Sequence, residues 1–329
     1  MQDLAGDSRV DMRFGIDRAG ELYVLAKANG KAWKVTGTRG SASQVHPSLA
    51  PNLVAFYDFE HPVPGNSAQE QDQGASGTNI NLVNGGAAMR VADGAYAGSV
   101  TSMQAKQVNP TSAGNDDWKA GLYSSSGVTS LNRFNQVQGI TVLGWFKMTG
   151  QIPAPNSNTS DPNDFFGGVG LAGILTGDSV GHHARALLEL ENVSGTLRVV
   201  ASGRRIDGSG RQYLATREDW RTLLPANQWV FLAGTFDFNT GTIALYKNGQ
   251  PIDGFYVVSG DPWGVGGPGP HYTSATNPRG LKIGGSYPQD TNETNPCNCR
   301  MDSLMFLDRA VTADEVQQQY LHVTAPPLP

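Results

Sequence analysis

Residues 227–252 read NQWVFLAGTFDFNTGTIALYKNGQPI. Apolar and aromatic residues fill positions 229–236, and a second β-prone run occupies 242–247. Asn248-Gly249 follows directly, the dipeptide that suits the tightest hairpin turn, and 250–257 resumes the pattern. The stretch therefore predicts three short strands joined by turns.

Outward from it the same signature recurs. Toward the N-terminus lie LVAFYDF at 53–59 and the mostly buried run ITVLGWFKM at 140–148. Strands are also predicted at 80–83 and 87–91 around Asn84-Gly85-Gly86, and at 186–191 and 196–201 around Val193-Ser194-Gly195. Toward the C-terminus, 281–283 and 303–306 complete the series. Only TADEVQQQY at 312–320 reads as helix, with Thr312 as N-cap and Glu315 as its reciprocal partner. Many short strands and one late helix predict an all-β sandwich, barrel or jelly roll. The 41 Gly and 19 Pro agree, because short strands need many turns.

Several function classes are excluded on composition. There is no Lys/Arg block, so no electrostatic footprint for nucleic acid is expected. No apolar run approaches eighteen residues, so no membrane span is expected. Two long Pro/Asn/Gly-rich insertions stand out, at 151–173 and 259–278. Loops of that length are usually functional or disordered, and binding tends to reside on loops held by a rigid scaffold.

The chain divides into a hairpin segment at 1–37, a polar linker at 38–52, a large unit at 53–323 and a tail at 324–329. In the first segment, Asp17, Gly20–Tyr23 and Lys31–Val35 resemble the last propeller blade of quinone-dependent glucose and sorbosone dehydrogenases. One blade cannot form a propeller, and no dehydrogenase activity is implied. MQDLAGDSRV at the start lacks the basic-then-apolar order of a signal peptide. The expectation is an extracellular or periplasmic protein whose natural chain begins further upstream.

In the large unit the order of signatures is informative. LVAFYDFE, ITVLGWFKM, the stretch at 227–252, LKIGGS and CRMDSLMFLDRAVTADEVQQQY resemble the laminin-G-like, concanavalin-A-like jelly-roll family. Met301, Asp302, Arg309, Ala310, Glu315 and Tyr320 fit its terminal motif, with Val311 in place of a leucine. The resemblance covers about residues 53–322. It implies a jelly-roll sandwich that recognises a polysaccharide or other glycan. It also implies a structural calcium, for which Asp58, Asp72, Asp93 and Asp302 are the candidate oxygen ligands. No organic cofactor is expected.

The alternative is a glycan-cleaving enzyme, either a glycoside hydrolase or a polysaccharide lyase. Its candidates are Glu189 and Glu191, which a strand would project from one face while Leu188 and Leu190 face the core. The plain alternative for the pair is a solvated strand face. His183, beside His182, is a further acid or base candidate, or simply a turn histidine. For sugar stacking the candidates are Trp118, Phe165, Phe166, Trp220, Trp263, Tyr272 and Tyr287, aromatics in loop-like surroundings. Trp145 and Trp229 sit in apolar strands and are assigned to the core. Arg204, with Arg205 and Arg211, could meet an acidic glycan. Cys297 and Cys299 are too close in sequence for easy bridging, so two thiols on a loop leading into a strand are expected, with a metal contact or redox pair as alternatives.

Overall fold

The computed structural model describes residues 12–16, 22–26, 31–34, 44–106, 117–150, 169–176, 184–204, 211–257, 268–285 and 297–325. Two compact units emerge, Met1–Gln44 and Val45–Pro329. The first is an antiparallel meander of β1 (Met12–Ile16), β2 (Leu22–Ala26) and β3 (Lys31–Lys34). It has one strand more than the expected hairpin. Met12, Phe14 and Ile16 alternate with Arg13 and Gly15, and that period of two pairs β1 along β2 from Met12↔Ala26 to Ile16↔Leu22.

In the second unit the strands are β4 (Leu53–Tyr57), β5 (Pro62–Val63), β6 (Asn66–Glu70), β7 (Ile80–Val83), β8 (Arg90–Val91) and β9 (Ser102–Ala105). Next come β10 (Lys119–Tyr123), β11 (Gly139–Met148), β12 (Val169–Leu175), β13 (Ala184–Val193), β14 (Thr196–Arg204) and β15 (Arg211–Thr216). The last are β16 (Trp229–Asp237), β17 (Thr242–Lys247), β18 (Gln250–Ile252), β19 (Gly254–Tyr256), β20 (Gly280–Ile283) and β21 (Cys299–Leu307). Two helices are α1 (Trp220–Leu223) and α2 (Ala313–Thr324).

These strands form the expected all-β sandwich. One sheet has ten strands in the order β19-β15-β14-β13-β12-β20-β10-β7-β6-β5. The other has eight: β18-β17-β16-β11-β21-β9-β8, with β4 also paired to β21. The core lies between them. Leu82, Ala120, Ile174, Leu188, Leu190 and Leu281 of the first sheet share it with Val142, Phe146, Leu232, Met301 and Leu304 of the second. The fit is close at Gly234, where an added Cβ would lie 2.8 Å from Cδ2 of Leu188.

The eight-stranded sheet is buried on its second face as well. Leu143, Trp145, Phe231 and Met305 pack there against Val45, Leu49 and Val316, with Tyr320 of α2 alongside. Burial on both faces explains why ITVLGWFKM reads as an unbroken apolar run. It also moves the domain boundary, since the expected linker at 38–52 ends at residue 44. Val45 and Leu49 are anchored in the core, the backbone N–H of His46 donates to Gln319 Oε1 at 2.7 Å, and Arg309 Nη2 donates to the Ser48 carbonyl at 3.1 Å.

Three further expectations change. The insertion at 151–173 runs into β12, which is wholly buried between β13 and β20. Gly170 and Gly173 hide the alternation there, so VGLAGIL resembles a loop in sequence. Residues 87–91 are a 3₁₀ turn at Gly86–Met89 followed by the short β8, and Asn84-Gly85-Gly86 closes no hairpin because β7 and β8 lie in different sheets. Cys297 and Cys299, both buried, form a disulfide with Cα atoms 5.1 Å apart, a separation inside the normal range, rather than staying as thiols.

At the end of the chain, Thr312 Oγ1 accepts from the Glu315 N–H at 3.3 Å, and Glu315 Oε2 accepts from the Thr312 N–H at 3.0 Å. Arg309 donates to both Glu315 oxygens at 2.7 and 2.6 Å. That hydrogen-bonded pairing first of all, against some desolvation, holds the Glu315 carboxyl at about 2, below its usual value. A carboxyl with a lowered folded pKa stabilises the fold above its unfolded pKa, and the contribution is lost as pH falls through the folded value. We predict that Glu315→Gln costs about 2 kcal/mol at neutral pH, discounted for partial exposure. Denaturant melts should show the gap closing between pH 4.5 and about 2.

Candidate functional site

The alternation along β13 builds two surfaces at once. Ala186, Leu188 and Leu190 enter the core, while Leu187, Glu189 and Glu191 project from the outer face of the ten-stranded sheet. Strand register carries that outer face across the sheet. Gln69, Asn81, Gly121, Lys282, Gly173, Leu187, Ser202 and Tyr213 lie side by side on eight successive strands. A neighbouring row runs Gly170, Glu189, Val200, Ala215 and Phe255. Lys119 projects from the same face, since its neighbour Ala120 belongs to the core.

The centre of this face is charged and yet buried. Glu189 is 4% exposed and Lys282 3%, while Lys119 and Ser202 are fully buried. Ser202 Oγ donates a short hydrogen bond to Glu189 Oε1. Lys282 stands between Gly121 and Gly173 in its row, and its Cε lies 3.1 Å from the position a Cβ would take at Gly170. The lysine stem thus runs over a strip where β12 carries no side chain, and Gly170 is directly opposite Glu189. Any larger residue at 170 would press on that stem. The arrangement gathers one carboxylate, one hydroxyl and two ammonium groups over a floor of glycines, all four of them buried.

The anticipated residues divide sharply. Glu189 and Glu191 share a face as expected, but their settings differ. Glu191 is half-buried and pairs in register with Arg198, further toward the turn at Ser194-Gly195. Trp220 is no exposed platform: the side chain of Asp219 caps α1, and the one-turn helix lays the indole into the core. Trp118 is half-buried at the core's rim, with Lys106 Nζ 5.7 Å above its ring. Tyr272 is 45% exposed and free to stack. Arg204 pairs with Arg211 across β14 and β15. His183, Phe165, Phe166, Trp263 and Tyr287, with His182 and Arg205, lie outside the described residues. Sequence reasoning missed Lys119, Lys282, Ser202 and Arg198. The signal for Lys282 was a charge between two buried apolar residues in GLKIGG.

The sequence profile of the concanavalin A-like lectin/glucanases superfamily matches residues 120–317, more than half of the chain. The chain belongs to that superfamily. No curated protein sequence matches it. Among solved structures, it is similar to the binding domain of botulinum neurotoxin DC in complex with rat synaptotagmin II. There the TM-score is 0.50 at 9% identity, over 84% of this chain and 53% of that one. It is also similar to botulinum neurotoxin type C, whose cell entry depends upon interaction with two ganglioside molecules, at 0.50 and 11%, over 84% and 52%. A Trypanosoma rangeli sialidase in complex with 2,3-difluorosialic acid matches at 0.48 and 13%, over 96% and 45%. The chain spans about half the length of the solved structures it matches. At such identities the likeness is one of fold.

The four carboxylates expected to hold calcium do not form one site. Asp72 accepts hydrogen bonds from the Phe56, Gly74 and Thr78 N–H groups and from Ser76 Oγ, which fastens the loop after β6. Asp93 is bridged by Lys147 and Arg300. Asp58 and Asp302 are a different case. Both are buried, and Asp302 has no cationic partner among the described residues. Burial above all, with the Asp58 charge adding to it, pushes the Asp302 carboxyl up to about 7 against its own hydrogen bonds. Ser99 Oγ links Asp302 to Glu60, lying 2.6 Å from Asp302 Oδ2 and 3.3 Å from Glu60 Oε1. Phe59 and Ser303, beside these acids, have left-handed backbones at φ 60° and 49°, conformations that bulky residues hold only under constraint. A different trio, Asp58, His61 and Glu70, has ligand atoms within 4.8 Å, but the Arg90 guanidinium already pairs with Glu70 there.

Proposed function

We propose that the second unit is a glycan-recognition module whose binding surface is the outer face of the ten-stranded sheet. The observation that carries this reading is the glycine-floored row of Gly121, Lys282 and Gly173 beside Glu189 and Ser202. Membership of a superfamily of lectins and glucanases supports the same reading. The disulfide of Cys297 and Cys299 supports an oxidising location, extracellular or periplasmic.

The test is a polysaccharide panel, scored both for retention and for release of reducing ends, with the native chain, Glu189→Gln and Lys282→Met. The expected result is retention on one glycan without release, weakened roughly tenfold or more by either substitution. Release that disappears in Glu189→Gln would replace the module with a glycan-cleaving enzyme. Retention untouched by both variants and lost in Tyr272→Ala would move the site to the loops.

We propose also that Asp58 and Asp302, with Glu60, hold a structural calcium ion. Calcium should raise the melting temperature of the native chain and leave Asp302→Asn unaffected. In chelator at pH 8 the same variant should melt above the native chain, because it removes a buried charge that has no cationic partner among the described residues. An equal calcium shift in both proteins would rule the site out.

A further inference from the structure

Toward β19 the outer face changes character. Val193, Val200 and Ala215 form a small apolar cluster there, flanked by the half-buried Tyr213 and Phe255. Two guanidinium groups lie against the Phe255 ring, Arg198 at 5.5 Å and Arg217 at 5.9 Å from its centroid. Arg217 is exposed, and its charge is shared with Asp253 at 2.7 Å. Arg198 is held differently. Its Nη1 donates to the Thr216 and Arg217 carbonyls, while its buried Nε–H has no acceptor among the described residues.

That pattern matters chemically. An arginine meets a carboxylate best through two parallel N–H groups, and Nε with Nη2 is one such fork. Nη1 is taken by backbone carbonyls and the plane of the group is fixed on Phe255. Nη2 is therefore the donor oriented in advance toward a ligand, with the buried Nε–H behind it, and the entropy of ordering the group is already lost on folding. Glu191 stands opposite Arg198 in register. Across the described outer face, the cations Lys119, Lys282 and Arg198 outnumber the carboxylates Glu189 and Glu191, although the whole chain carries a formal charge of −5.

We infer that the glycan taken by this face is acidic, and that Arg198 anchors the carboxylate of a uronate-type sugar unit whose ring rests beside Phe255 and Tyr213. This rests on the glycan-binding reading and names the substrate class for it. Lys282 and Glu189 then contact the units further along the row, and Arg198 is the specificity-determining residue.

The test compares binding of polygalacturonate and alginate with their carboxyl-reduced, neutral counterparts, by calorimetry at two salt concentrations, for the native chain, Arg198→Lys and Arg198→Gln. Melting temperatures of both variants establish that they fold. The expected result is binding of an acidic polymer that falls with salt, is lost on carboxyl reduction, and weakens roughly tenfold in Arg198→Lys despite the retained charge. Equal binding of a polymer and its carboxyl-reduced form would overturn the inference, and so would binding of an acidic polymer that neither variant weakens. If a neutral glycan alone is bound, and Lys282→Met weakens it, the glycan-binding reading survives without its acidic specificity. No binding to any glycan, acidic or neutral, would overturn both.

Discussion

Along β13, Leu188 and Leu190 fill the core while Glu189 and Glu191 stand on the opposite side of the same backbone. Both the stability of the sandwich and its chemistry depend on that two-residue period. A slip of one residue would bury two carboxylates between the sheets and put two leucines on the outer face. Register pairs with β12 and β14 lock the strand on both edges, from Gly170↔Glu189 to Glu189↔Val200. The charges are thereby fixed to rigid strands rather than to loops.

The two sheets share their work unequally. The eight-stranded sheet is covered on both faces, by the ten-stranded sheet on one side and by residues 45–52 and α2 on the other. Its second strand edge changes partner at Asp302 and Ser303: β21 pairs with β9 before that point and with β4 after it. The change concentrates left-handed backbone and buried carboxylate in one place, and a cation there would stabilise the junction that holds the first and last strands together. The outer face of the ten-stranded sheet carries the buried charges Glu189, Lys282 and Lys119.

Much of the fold was legible because its signals are local. Asn248 and Gly249 take φ of 49° and 78°, the turn their identities predict, and Thr312 with Glu315 forms the predicted capping box. The jelly-roll signatures were equally readable, since each is a contiguous strand. What escaped was anything set by partners distant in sequence. Val45 and Leu49 sit in a polar stretch and show their purpose only against Val316 and Met305. β12 is made ambiguous by Gly170 and Gly173, glycines that exist to make room for Lys282 and a close neighbour strand. The site was half legible for the same reason. Glu189 and Glu191 follow from one strand's alternation, but Lys119, Ser202 and Lys282 come from three other strands. Their meeting depends on sheet order, which strand patterns do not state. Trp220 shows the reverse error, a loop-like aromatic drawn inward by a single helical turn.

The most direct test of this account is a crystal structure of the chain with a bound oligosaccharide. The account predicts sugar density along the outer face of the ten-stranded sheet, with hydroxyl or carboxylate oxygens within hydrogen-bond reach of Lys282 and Glu189. Density seated on the α2 side of the eight-stranded sheet, or confined to the loop around Tyr272 with the Gly121, Lys282 and Gly173 row empty, would contradict it.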